Sequence, residues 1–189
     1  MTMLRHVPNV LTSLRLVAAP LTIGLLIGGH FPAALGLFAA AGISDAVDGY
    51  LAKRFNLTSR IGRLLDPLAD KALMAAAFLA LVILDVVPLW LAVIVFGREI
   101  IFLVGIALTA IAQAQVDIKP LFIGKVSTVV QIVYIVSHLA ALAFGFSLEL
   151  FEPGAAYLVA AIAIASLFPY AAIWLRAMRA ALRPGDAGL

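Results

Sequence analysis

Six apolar runs, each close to the length a bilayer demands, constrain this chain more than any other feature. A membrane-crossing helix needs about 20 consecutive apolar residues, and such runs occupy 7–29, 33–53, 62–86, 88–112, 121–145 and 153–175. They are separated by turn-forming segments: GGHFP, KRFNLTSRIG, DVVP, QAQVDIKP and GFSLELFEPG. Every backbone polar group must be satisfied within the hydrocarbon, so runs of this length fold as helices. The expectation is an all-α, polytopic membrane protein with six transmembrane helices, forming one domain over 1–189. Pro20 could break the first helix, leaving 3–15 as an interfacial amphipathic segment with Arg5 and Arg15 turned towards lipid phosphates.

Composition agrees. Hydrophobic residues make up 65% of the chain and charged residues 12%, well outside the usual range of a soluble domain. There is no cysteine, which leaves oxygen and imidazole as the available metal ligands. The first apolar run is already long enough to span, so it reads as a retained helix rather than a cleaved leader. The pI of about 9.5 does not point to nucleic acid, because the basic residues cluster at helix ends with no aromatic interleaving. They report topology instead. With the N-terminus cytoplasmic, that face takes Arg5, Lys53, Arg54, Arg60, Arg63, Lys119, Lys125, Arg176, Arg179 and Arg183, while the loops opposite carry Asp85, Glu149 and Glu152. The positive-inside rule then puts both termini in the cytoplasm, in keeping with a bacterial inner membrane.

One segment concentrates the chemistry: SDAVDGYLAKRFNLTSRIGRLLDPLADK. Asp45 and Asp48 stand three apart and Asp66 and Asp70 four apart, spacings that give each pair a common helical face. Two antiparallel helices joined by the short intervening loop would gather four carboxylates at one end of the bundle. A carboxylate within the bilayer costs roughly 2.5–3.5 kcal/mol on insertion scales, and mutual repulsion adds to this. Pairing with Lys53, Arg54, Arg60, Arg63 or Lys71 would account for any single aspartate. Four together call for a hard divalent cation with oxygen ligands, Mg2+ or Mn2+, as one ion or two. Gly49, Ala52 and Gly62 supply small surfaces for close helix approach.

These residues resemble the signature of the CDP-alcohol phosphatidyltransferases, D-x2-D-G-x2-A-R-x8-G-x3-D-x3-D. The match runs through Asp45, Asp48, Gly49, Ala52, Gly62, Asp66 and Asp70, with Lys53 where the family usually has Arg. A lysine still meets a pyrophosphate as a point charge but lacks the bidentate fork. The start of the first helix, PNVLTSLR, is similar to the family's P-N-x-L-T-x-x-R at Pro8, Asn9, Leu11, Thr12 and Arg15.

The resemblance implies a metal-dependent transfer of a phosphatidyl group from a CDP-linked lipid to an alcohol, with release of CMP. It also implies two metal ions, with Asp45 and Asp66 bridging both, Asp48 binding one, and Asp70 binding the other and acting as base. The CDP headgroup of CDP-diacylglycerol would lie against Pro8, Asn9, Val10, Leu11, Gly49, Lys53 and Ser59. A homodimer in the lipid bilayer is implied as well.

Two further features bear on the acceptor. Arg98 and Glu99 interrupt the apolar run PLWLAVIVFGREIIFLVGIAL, and charges so deep are either paired with one another or functional. In IKPLFIGKVSTVVQ, Lys119 suits interfacial anchoring. Lys125 lies a turn further in, followed by a polar stripe of Ser127, Thr128 and Gln131. Arg98 and Lys125 as ligands of an acceptor phosphate narrow the alcohol to phosphatidylglycerol or glycerol 3-phosphate. ALGLFAAAGISDAVDGYLAKR, LLDPLADKALM and IKPLFIGKVSTVVQ look most like the cardiolipin synthases of the family, which implies phosphatidylglycerol. Phosphatidylglycerophosphate synthases, using glycerol 3-phosphate, are the alternative. A cation-coupled transporter is the rival from another class, since acidic residues in membrane helices also pass cations. Inverted repeats and charges in the outer half of the bundle, which transport would favour, are missing from the sequence. His6, His30, His138, Trp90, Trp174, Tyr157 and Tyr170 read as packing or interfacial residues.

Overall fold

In the computed structural model the backbone is described over 7–55, 62–111 and 121–181, and side chains over 14–44, 71–109, 111 and 121–176. Six helices are described: α1 (Val7–Ile27), α2 (Phe31–Phe55), α3 (Gly62–Ile83), α4 (Leu89–Ile111), α5 (Phe122–Phe144) and α6 (Glu152–Ala181). Each coincides with one of the six apolar runs to within a few residues, apart from α6, which continues into the basic tail. Among the described residues, Leu89–Thr109, Phe122–Phe144 and Glu152–Arg176 are long and apolar enough to cross a membrane. The apolar stretches described in the other helices, Leu14–Ile27, Phe31–Ser44 and Lys71–Ile83, are shorter. In α2 and α3 the charged motif takes up the remaining turns.

The helix ends follow from local chemistry. At the end of α1 the His30 amide donates to the Leu25 carbonyl at 2.8 Å and the Gly29 amide to Leu26 at 3.1 Å. This is the double bond pattern of a Schellman cap. It requires a left-handed residue, and Gly29 supplies φ 73°. The end of α3 repeats it with Asp85 at φ 55°: Asp85 donates to Val82 and Val86 to Leu81, both at 3.0 Å. Aspartate is among the few L-residues that adopt this region readily.

The chain divides into two compact units. The first comprises Met1–Pro88 with Ile132–Leu150, and in it α1 packs against both α2 and α3, which also touch each other. Arg15, Ala18, Ala19, Thr22 and Leu26 form the buried face of α1, and Ala76, Ala77, Ala80 and Leu81 are buried along α3. Alanines on such faces let helix backbones approach closely, which supplies the dispersion contact that drives association in lipid. From the second half of α5, Tyr134 stacks on Phe78 with ring centroids 6.1 Å apart.

Two expectations for α1 are corrected. The helix runs unbroken from Val7 to Ile27 through Pro20, and Arg15 is only 4% exposed, buried within this unit rather than turned to lipid phosphates. Packing on two neighbours holds the helix across the missing proline amide, and it places Arg15 on the face that packing covers.

The second unit comprises Leu89–Gln131 with Phe151–Leu189. Here α4 packs on α6. Trp90 stacks on Tyr157 at 5.3 Å, Arg98 bonds Ser166, and Phe102 meets Tyr170 edge-on at 4.9 Å. Gly105 faces Trp174. Partners advance in the same order along both helices, so α4 and α6 run parallel. The Tyr170 hydroxyl also accepts the Leu121 amide at 3.1 Å, anchoring the start of α5.

Candidate active site

Both halves of the aspartate motif fall on helices of the first unit. Asp45, Asp48, Gly49 and Lys53 lie in the second half of α2, and Asp66 and Asp70 in the first turns of α3. Pro8, Asn9, Val10 and Leu11 form the first turn and a half of α1, the helix against which α2 and α3 pack. The side chains of 7–13 and 45–70 lie outside the described residues, and Ser59 falls in a segment outside them altogether. Among the described residues there is no cluster of three or more metal-ligating side chains.

Arg15 belongs to the same neighbourhood. It is the last residue of PNVLTSLR and lies on the covered face of α1. A buried guanidinium is stable only with hydrogen-bond partners or counter-charge, so a motif residue that looked interfacial in the sequence is an internal cation of this unit.

In the second unit Arg98 sits midway along α4 and is 9% exposed. Its Nε donates to Ser166 Oγ at 3.0 Å, and its Nη1 is paired with the Glu99 carboxylate. Ser166 is fully buried and donates its own proton to the Ala163 backbone carbonyl at 2.7 Å. The hydroxyl rotor is therefore fixed by its own helix and its lone pairs face the guanidinium. Nη2 of Arg98 has no hydrogen-bond partner among the described residues. Of the two sequence readings of Arg98, the pairing with Glu99 is the one seen here.

The polar stripe on α5 is present. Ser127 and Gln131 are buried, and Gln131 Nε2 donates to Ser127 Oγ at 3.2 Å. Lys125 is exposed, on the same side of the helix as the exposed Phe122 and Val129 and away from that buried pair. In the first unit His138 Nδ1 lies 2.8 Å from the Tyr134 carbonyl of the preceding turn, and its ring lies against the Tyr134 ring. It is a packed histidine, as its apolar helix suggested.

Sequence reasoning missed Ser166. The available signal was a single hydroxyl in the otherwise apolar stretch LVAAIAIASLF, which turns polar only when set against α4. It also gave Tyr170 no task beyond packing, whereas its hydroxyl receives the first amide of the fifth helix region.

Comparison with known proteins follows the same lines. The sequence model of the CDP-alcohol phosphatidyltransferase family matches residues 5–178. The cardiolipin synthase (CMP-forming) of Rattus norvegicus is 31% identical over 157 residues, covering 75% of this chain and 52% of that protein. The protein of the same name from Streptomyces coelicolor is 34% identical over 131 residues, covering 65% and 59%. The CDP-diacylglycerol–glycerol-3-phosphate 3-phosphatidyltransferase of Bacillus subtilis is 38% identical over 97 residues, covering 51% and 49%. The chain spans about half the length of the curated relatives it matches.

Proposed function

This chain belongs to the CDP-alcohol phosphatidyltransferase family, and from that membership we propose that it makes cardiolipin, transferring a phosphatidyl group from CDP-diacylglycerol to a hydroxyl of phosphatidylglycerol. The observation that carries the reading is the complete aspartate motif, borne on two helices of one unit that both pack against α1. Relatives named as cardiolipin synthases support the choice of acceptor. A cation transporter loses its footing with family membership.

The donor set of Asp45, Asp48, Asp66 and Asp70 fits Mg2+ or Mn2+: four carboxylates, no thiol, on neighbouring helices. When bound, such ions would neutralise the pyrophosphate and the charge that develops on it. The protein's own residues do the rest. Asp70 takes the proton of the acceptor hydroxyl as its oxygen bonds to the phosphorus carrying diacylglycerol, and the bond from that phosphorus to CMP breaks. Lys53, Gly49, Ser59 and the Pro8 to Leu11 turn hold the CDP headgroup. Arg98, through Nη2, binds the acceptor's phosphate; the exposed position of Lys125, on the other side of α5 from Ser127 and Gln131, withdraws it from that role. The distribution of lysine and arginine supports a cytoplasmic motif and cytoplasmic termini.

The alternative acceptor, glycerol 3-phosphate, is favoured by the likeness to the Bacillus subtilis protein. One assay separates the two. Purified protein with Mg2+ and CDP-diacylglycerol is given each acceptor in turn, and CMP and lipid products are measured with and without a chelator. Chelator-sensitive cardiolipin formation is expected with phosphatidylglycerol. Product with glycerol 3-phosphate alone would overturn the acceptor assignment, and no CMP with either would overturn the reaction.

A further inference from the structure

We propose that Ser166 is a positioning residue for the acceptor alcohol, acting through Arg98; this rests on the reading of Arg98 as a ligand of the acceptor's phosphate. A guanidinium has five N–H donors in one plane, so fixing two of its nitrogens fixes the direction of the third. Ser166 Oγ holds Nε at 3.0 Å and Glu99 holds Nη1, which leaves the Nη2 edge to meet an anion.

Ser166 is suited to this because, among the described residues, no other donor competes for its lone pairs. It is fully buried, and its proton is committed to the Ala163 carbonyl one turn back. The Arg98 Nε–H is the donor that reaches its lone pairs. Bonds in which one partner is charged are the stronger kind in a low-dielectric interior. Glu99, adjacent in sequence and 23% exposed, balances the charge through Nη1. Without the hydroxyl, Nε would lose its acceptor inside an apolar helix pair. The guanidinium would then rotate towards Glu99 or another oxygen, taking Nη2 off its line. The loss should fall on recognition of a phosphate-bearing acceptor and spare the CDP-lipid, whose binding belongs to the motif residues.

The test measures apparent KM for phosphatidylglycerol and for CDP-diacylglycerol, with kcat, in detergent-purified Ser166→Ala, Ser166→Thr, Ser166→Val and Arg98→Lys proteins. Thr and Val have nearly the same shape, so their difference isolates the hydroxyl and serves even if the Ala variant does not accumulate in membranes. Loss of one hydrogen bond to a charged group corresponds to roughly tenfold. The expected result is a rise of about that size in acceptor KM for Ala and Val, with CDP-diacylglycerol KM within about twofold and Thr restoring most of the loss. If Arg98→Lys raises acceptor KM while the Val and Thr variants match, the role of Ser166 is refuted and that of Arg98 stands. If Arg98→Lys leaves acceptor KM unchanged, the Arg98 reading fails and the inference with it. Equal rises in both KM values, unrelieved by Thr, would mean that Ser166 only holds the helices together.

Discussion

Gly105→Ala should destabilise the protein, and its cost can be worked from the contact it creates. A Cβ built at Gly105 would stand 2.4, 2.4 and 2.5 Å from three carbons of the Trp174 indole, where ordinary contact begins at 3.4 Å. The ring would have to retreat by about an ångström. It cannot tilt freely, because Phe102 and Tyr170 lie against it with centroids 5.9 and 6.1 Å away. Overpacking of this kind costs typically 1–3 kcal/mol, and each displaced aromatic contact adds about 0.5–1.5 kcal/mol. A loss of about 2 kcal/mol is therefore expected for Gly105→Ala. Thermal unfolding in detergent can be followed by the fluorescence of Trp90 and Trp174, the two tryptophans of the chain. The decisive comparison is the double-mutant cycle with Trp174→Leu, read by a probe other than that fluorescence. If the clash is the cause, Gly105→Ala should cost little once the indole is gone, a coupling of at least ~1 kcal/mol. A full cost that persists in the Trp174→Leu background would refute the reasoning, as would no cost in either.

Two further outcomes are expected. Asp70→Asn should abolish turnover while sparing CDP-diacylglycerol binding more than Asp45→Asn does, checked by CMP release alongside equilibrium binding of the CDP-lipid; full activity in both variants would show the motif assignment to be wrong. Tyr170→Phe should lose the bond to the Leu121 amide and lower stability by about 0.5–1.5 kcal/mol, and unchanged thermal unfolding of that variant would refute the anchoring role.

Length and apolarity were enough to place all six helices. A run of some 20 apolar residues has no other way to satisfy its amides in lipid, so periodicity and tertiary contacts were not needed. The aspartate motif was equally plain, because spacings of three and four put each pair on one face of whichever helix carries it. Tertiary packing decided the fate of the polar residues that stand alone. Arg15 looked interfacial from its place near the N-terminus, and burial against two neighbouring helices made it internal. Proline at position 20 looked like a break, and those same neighbours kept α1 whole. Ser166 was one hydroxyl among alanines and isoleucines until the parallel docking of α6 on α4 set it against Arg98. Composition acts residue by residue and is written in the chain. The partner of a lone polar group lies tens of residues away, and its identity exists only once the helices have packed.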